Sequence, residues 1–147
     1  DNIHFTLDTD DGSRTERYEE ADLILVGVSR SGKTPVCLYL AMHFGLRAAN
    51  YPLTPEDFTK LALPKVIIPY QKKLVGLVIQ PENLSKIRGK RYPNSDYASL
   101  AECEKEIMQA KNLFQHNKIP ALNTTNASIE EISTKLLQLL KLKRRAS

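Results

Sequence analysis

The sequence is poor in the residues that staple or metallate a small fold. Its two cysteines, Cys37 and Cys103, form no CxxC pair, which argues against a disulfide framework and against a cysteine-rich zinc site. The three histidines, His4, His43 and His116, are scattered without HxxxH or HExxH spacing, so each reads as a surface or packed residue rather than a ligand. No apolar run approaches the ~18 residues that a membrane span needs. No basic stretch followed by an apolar one opens the chain as a secretory leader would. A reduced, cytoplasmic setting without membrane association is the expectation. Strong charge of one sign is also lacking: the net charge is +4, too weak a bias to argue for nucleic acid. The basic run KLKRR at 141–145 reads as a solvated helix end, where cations suit the helix dipole.

What is present suits one ordinary folded domain. The chain has 147 residues, enough for a single buried core. Hydrophobic residues at 41% and charged residues at 26% give the usual mix of a globular chain. It begins without Met, in DNIHFTLDTDDG, and reads as cut from something longer. Residues 1–20 are expected to be a polar, acidic loop segment, and residues 21–147 the folded domain.

Leu23-Ile24-Leu25-Val26 is a short continuous apolar run, as in a strand buried on both faces of a parallel sheet. PVCLYLAMHFG follows as a buried helix with a proline start and a glycine stop at Gly45. A second strand is expected at 46–51. A helix should start from Thr54, with Asp57 three residues on. Leu74 to Ile79 is the third strand, PENLSKIRGKR the next helix, and Ala98 to Asn117 a long amphipathic one. Ile119 to Asn123 is the fourth strand, and Ser128 to Glu131 form a capping box for the last helix. This alternation predicts an α/β fold with helices layered about a mainly parallel sheet of about four strands. Its crossovers should be right-handed.

Between the first strand and the first helix of this domain stands GVSRSGKTP. Gly27-Val28-Ser29-Arg30-Ser31-Gly32-Lys33-Thr34 fits the phosphate-binding P-loop pattern. A loop that wraps an anion with its own N–H groups needs backbone angles and close approaches that glycine tolerates best. The helix behind it aims its N-terminus at the same anion. Lys33 brings a mobile charge, and Thr34 a hydroxyl for Mg²⁺. At ordinary residue frequencies a chance match in a chain of this length is on the order of one in two hundred. The strand before and the helix after make chance rarer still. The alternative is a glycine-rich turn of purely structural use.

The reaction is not named by this loop. No downstream apolar strand ends in Asp as the partner of a P-loop usually does: LVGLVI runs into Gln80, and VII into Pro69. No NKxD motif suggests guanine. Asp10 and Asp11, Asp57 and Asp96 remain as acids that could reach the phosphates. On spacing alone Asp10-Asp11-Gly12 reads as an ordinary polar turn. Arg88, Lys90 and Arg91 read equally as a cationic lid over the phosphates and as a solvated face. Asn123, Thr124 and Thr125 read as a cap ahead of Ser128 more than as a wall for a nucleotide base.

Longer segments carry a resemblance. ADLILVGVSRSGKTPVCLYLA, GLRAANYPL, LVGLVIQPENLSKIR, YASLAECEKEI and IPALNTTNASIEEI resemble the pyruvate, phosphate dikinase regulatory protein family over essentially the whole chain. The similarity covers the C-terminal half of that family. It implies a P-loop kinase-like domain with two activities. One is an ADP-dependent serine/threonine protein kinase that silences its target on a threonine. The other is a phosphate-dependent phosphorylase that restores the target and forms pyrophosphate. The family's loop falls on Gly27 to Thr34. The form Gly32-Lys33-Thr34 resembles the branch whose target is phosphoenolpyruvate synthase; the branch acting on pyruvate, phosphate dikinase tends to have Ser at the second glycine. The family's acidic D-D-G element falls on Asp10-Asp11-Gly12 and implies a catalytic role for Asp10 or Asp11. The histidine often found just before it is Thr9 here. The ligands implied are ADP, phosphate or pyrophosphate, and Mg²⁺, with a homodimer as a further expectation. The rival readings are a small-molecule P-loop kinase and a nucleotide-sensing module without catalysis.

Overall fold

A computed structural model describes residues 2–9 and 15–146. Its centre is a sheet of four strands: β1 (Leu23–Gly27), β2 (Ala48–Pro52), β3 (Leu74–Val78) and β4 (Ala121–Asn123). The strands lie in the order β2-β1-β3-β4, and every pairing is parallel. Each strand is followed by helix. α2 (Lys33–Phe44) leaves β1, the short α3 (Pro55–Thr59) leaves β2, α4 (Pro81–Arg91) and α5 (Leu100–His116) leave β3, and α6 (Ile129–Ala146) leaves β4. The expected α/β architecture of helices around a parallel sheet is the one observed.

Pleating divides the core in two. Leu23 and Leu25 of β1, with Val75 and Leu77 of β3, face Val36, Cys37 and Leu40 of α2 and Ile132, Leu136 and Leu140 of α6. Ile24 and Val26, with Leu74 and Val78, face the other way, toward Leu84 of α4 and Cys103, Ile107, Ala110 and Phe114 of α5. Both faces of the sheet are covered, which is why β1 and β3 read as unbroken apolar runs.

The element ends follow local chemistry. α2 stops at Gly45, whose left-handed backbone (φ 63°) lets its N–H reach back to the Leu40 carbonyl. α3 opens on a complete capping box: the Thr54 hydroxyl accepts from the Asp57 N–H, and the Asp57 carboxylate accepts from the Thr54 N–H. Ser99 caps α5 through the Glu102 N–H, and Ser128 caps α6 through the Glu131 N–H.

One expectation fails ahead of β1. Residues 2–9 form a helix, α1 (Asn2–Thr9), and residues 15–20 a 3₁₀ turn, where a polar loop was expected. The reason is a small but real burial. Phe5 is 1% exposed and Tyr18 is fully buried, both in the α5-side core. The Thr6 hydroxyl donates to the Ala48 carbonyl at 2.8 Å, and the Tyr18 hydroxyl donates to the Asn50 carbonyl at 2.8 Å, so the segment is tied to β2.

Candidate phosphate-binding site

In a parallel sheet all the strand-to-helix loops leave from one edge. Here β1 is central: its chain crosses to β2 on one side, while β3 lies on the other. The loops after β1 and β3 therefore part, and the crevice between them is where open α/β sheets take ligands. The loop after β1 is Val28–Gly32, inside the motif Gly27–Thr34.

Its shape depends on its two glycines for different reasons. A Cβ on Gly27 would stand 2.8 Å from the Leu77 carbonyl of β3 and 3.0 Å from Ser31 Oγ, so the β1 end passes too close to its neighbours for a side chain. Gly32 has open space around it but a φ of 99°, a conformation that L residues rarely adopt. It is the N-cap of α2, and with its carbonyl accepting from the Val36 N–H it begins the helix. Arg30 also takes a left-handed backbone, φ 71°, at the far bend of the loop.

The loop holds itself together from inside. Ser31, 2% exposed, donates its hydroxyl to the Val28 carbonyl at 2.8 Å. Lys33 lies in the first turn of α2, 8% exposed, and folds back under the loop. Its ammonium donates to the carbonyls of Val28 at 2.8 Å and Gly27 at 3.3 Å. The charged end is thus fixed at the base of the loop, next to the helix N-terminus, where an anion is favoured. Thr34, half-buried beside it, has its hydroxyl 3.4 Å from the amide of Asn50 on β2.

A second layer braces the loop from the side of α4 and α5. Arg88 of α4 is fully buried. Both its terminal nitrogens donate to the carboxylate of Glu106 on α5, at 2.9 and 3.0 Å, in the two-pronged geometry that a guanidinium fits. It also donates to the Tyr97 carbonyl at 3.0 Å and to the Ser29 carbonyl of the loop at 3.2 Å. The Tyr97 ring stacks 4.0 Å from the guanidinium, and the Tyr97 hydroxyl hydrogen-bonds the Ser29 side chain. Burial pulls against the charge on Arg88, but the Glu106 hydrogen bonds and charge outweigh it and hold the guanidinium ionised, its pKa raised. Burial also pushes the Cys103 thiol beside it up, so that thiol is neutral at physiological pH.

The expected residues sort as follows. Gly27 through Thr34 come together in one loop and helix start. Arg88 does not belong to a solvated face or an open lid; it is a buried brace, while Lys90 and Arg91 are exposed. Asn123, Thr124 and Thr125 act in the framework. The Thr124 N–H extends the β3–β4 ladder to the Val78 carbonyl at 2.7 Å, and the Thr125 hydroxyl accepts from the Gln80 N–H at 2.7 Å. Asp57 is engaged in the α3 cap. Asp10 and Asp11 lie outside the described residues. Among the described residues no group of three or more His, Cys, Asp or Glu side chains could hold a metal. No described helix is long and apolar enough to cross a membrane.

The brace is what sequence reasoning missed. Its signal was present on α5: Glu106 falls on the same stripe as Cys103, Ile107, Ala110 and Leu113, an acid in the middle of an apolar face. Such an acid calls for a buried cation opposite.

Residues 1–137 match the family described as kinase/pyrophosphorylase. The chain belongs to this kinase/pyrophosphorylase family. Its P-loop therefore sits in a chain whose relatives are grouped by phosphoryl and pyrophosphoryl chemistry. A relative from Pseudomonas fluorescens (strain Pf0-1), named "Putative phosphoenolpyruvate synthase regulatory protein", is 56% identical over 92% of this chain and 50% of its own length. Relatives with the same name from Stutzerimonas stutzeri (strain A1501) and Pseudomonas aeruginosa (strain LESB58) are 56% and 55% identical, again over 92% of this chain. The chain spans about half the length of the curated relatives it matches.

Proposed function

We propose that this family member carries the nucleotide site of a bifunctional enzyme. In one direction it is an ADP-dependent serine/threonine protein kinase, and in the other a phosphate-dependent phosphorylase. The protein substrate is phosphoenolpyruvate synthase, modified on a threonine. The observation that carries the reading is the loop itself: a glycine-shaped anion cradle with a buried lysine at its base, at the crevice of a parallel sheet. The family description supports phosphoryl or pyrophosphoryl transfer, and the relatives' names support phosphoenolpyruvate synthase as the target.

Phosphoryl transfer needs positioning and charge compensation more than covalent chemistry from the protein. In the kinase direction the N–H groups of Gly27–Thr34 hold the β-phosphate of ADP. Lys33 moves from the Gly27 and Val28 carbonyls to the phosphate oxygens. The target threonine oxygen bonds to the β-phosphorus, the bridge to the α-phosphate breaks, and AMP leaves. Asp10 or Asp11 accepts the threonine proton. In the other direction inorganic phosphate occupies the same cradle and attacks the phosphothreonine. Pyrophosphate leaves, and the threonine oxygen takes a proton back. One anion site thus serves both reactions.

The donor chemistry at the loop suits Mg²⁺. A threonine hydroxyl is a hard oxygen donor, and Mg²⁺ at phosphate sites takes most of its shell from phosphate and water. Thr34 would hold the ion, which when bound offsets charge on the transferred group. Gly32 is the residue on which the choice of phosphoenolpyruvate synthase over pyruvate, phosphate dikinase leans.

The test uses phosphoenolpyruvate synthase phosphorylated on its catalytic histidine, the form that the family resemblance implies as the kinase substrate, with ADP or ATP labelled at the terminal phosphate. Label on a target threonine from ADP is expected. Transfer from ATP alone, to a small metabolite, points to a small-molecule kinase and ends the reading. Lys33→Ala should lower both activities by about a hundredfold or more, the scale of removing a preorganised charge from a transition state. Phosphorylase activity that survives this change would separate the two sites.

A further inference from the structure

Arg88 is held at a cost that packing alone does not explain. Among the described residues it is the largest fully buried side chain and its Nε has no hydrogen-bond partner, and its charge needs Glu106 to be tolerated. An apolar residue would fill the same space between α4 and α5 without those demands. What an apolar residue could not do is reach the Ser29 carbonyl.

That contact has a directional consequence. A trans peptide sets its C=O and the next N–H on opposite sides, and the chain has no cis peptide among its described residues. With the Ser29 carbonyl turned onto Arg88, the Arg30 N–H is turned away from it. The same peptide leads into the left-handed Arg30, a conformation costly for a side-chain-bearing residue and one that needs an outside restraint. The restraint is double, since Tyr97 grips the Ser29 hydroxyl while its ring stacks on Arg88.

We propose that Arg88 is a positioning residue for the phosphate cradle. Through the Ser29 carbonyl it fixes the Ser29–Arg30 peptide so that the Arg30 N–H donates to the bound phosphate. Glu106 and Tyr97 serve by holding Arg88 and Ser29 in place. The inference rests on the reading of the loop as a phosphate site, and it adds a residue that touches no ligand.

The experiment has two arms on the intact chain. In the first, inorganic phosphate and ADP are titrated into the unaltered protein while backbone amides are followed by NMR. The Arg30 amide should move downfield as phosphate saturates. An Arg30 amide that stays in place while other loop amides shift overturns the proposal. If neither phosphate nor ADP binds, the phosphate-site reading falls, and this proposal with it. In the second arm Arg88→Met with Glu106→Leu removes both buried charges together, a change cores often tolerate. Its thermal midpoint should remain near that of the parent, while its phosphate and ADP dissociation constants rise about tenfold or more, the worth of a charge-assisted hydrogen bond. A folded double variant that binds both ligands like the parent would show Arg88 to be structural only. Should the double variant not fold, Tyr97→Phe, which keeps the ring and drops the hydroxyl, should weaken binding severalfold, and unchanged binding counts against the proposal.

Discussion

The two helical layers around the sheet are built differently. The α2–α6 layer meets the sheet through aliphatic side chains, Leu23, Leu25, Val75 and Leu77 against Val36, Leu40 and Leu136. The α4–α5 layer meets it through larger rings and a buried ion pair, with Phe114 against β3 and Arg88–Glu106 behind the loop. The first layer is exchangeable grease, which fixes where α2 begins and hence where Lys33 lies. The second is directional, because hydrogen bonds transmit an orientation and dispersion contacts do not. The loop proposed to aim N–H groups at an anion is thus braced from the directional side.

Single substitutions can break this contrast. Arg88→Met alone should cost about 3–5 kcal/mol, because it strands the Glu106 carboxylate in the core. Urea unfolding would measure it, and Glu106→Leu added to it should return most of the loss. Leu40→Ala on the aliphatic side should cost about 2–5 kcal/mol by opening a cavity. Its ADP affinity per folded molecule should be unchanged; a matching loss of affinity would erase the distinction between the layers. Gly76→Ala should cost about 1–3 kcal/mol. Its new Cβ would stand 2.5 Å from the Phe114 ring, and that ring is itself buried. Phe114→Leu in the same chain should relieve part of that strain.

The smallest effect concerns pH. Burial raises the Cys103 pKa above its ordinary value of 9.0, so the folded state favours the neutral thiol. The sign follows: this contribution is complete below pH 9.0 and fades as pH rises above it, when the unfolded chain ionises first. Thermal midpoints should fall on the alkaline side, and Cys103→Ala should flatten that fall. An equal slope in the variant would assign the loss to other groups, with Tyr51 next, raised by its own burial and by Asp57.

Much of this was legible in the sequence. Period and punctuation gave β1, α2, β3, α4 and α5 within a residue or two, because each is a clean apolar run or stripe ended by Gly, Pro or Ser. The P-loop was legible because its glycines, lysine and threonine stand at a fixed local spacing, although the need for Gly27 comes from the distant Leu77 carbonyl and only Gly32 is required by its own backbone angle. α1 was hidden because it buries little, and its gain depends on β2, many residues away. Arg88 was hidden in KIRGKR, where a charge run looks solvated. Its position four residues after the buried Leu84 places both on one stripe of α4, but only Glu106 on another helix makes that stripe tenable. Long-range polar pairing leaves no local period to read.

The lysine at the base of the loop has a further consequence. Because Lys33 already lies against the Gly27 and Val28 carbonyls, an incoming anion exchanges one set of oxygen acceptors for another. The ammonium does not have to be gathered from bulk water, stripped of its shell and then ordered. The desolvation of that charge is settled when the chain folds, once, and not at each binding of an anion. On the proposed reading, a cradle so prepared would have little preference for the history of the phosphate it receives. A terminal phosphoryl of a nucleotide and a free orthophosphate would then find the same standing charge, which is what the proposed two-way site has to offer.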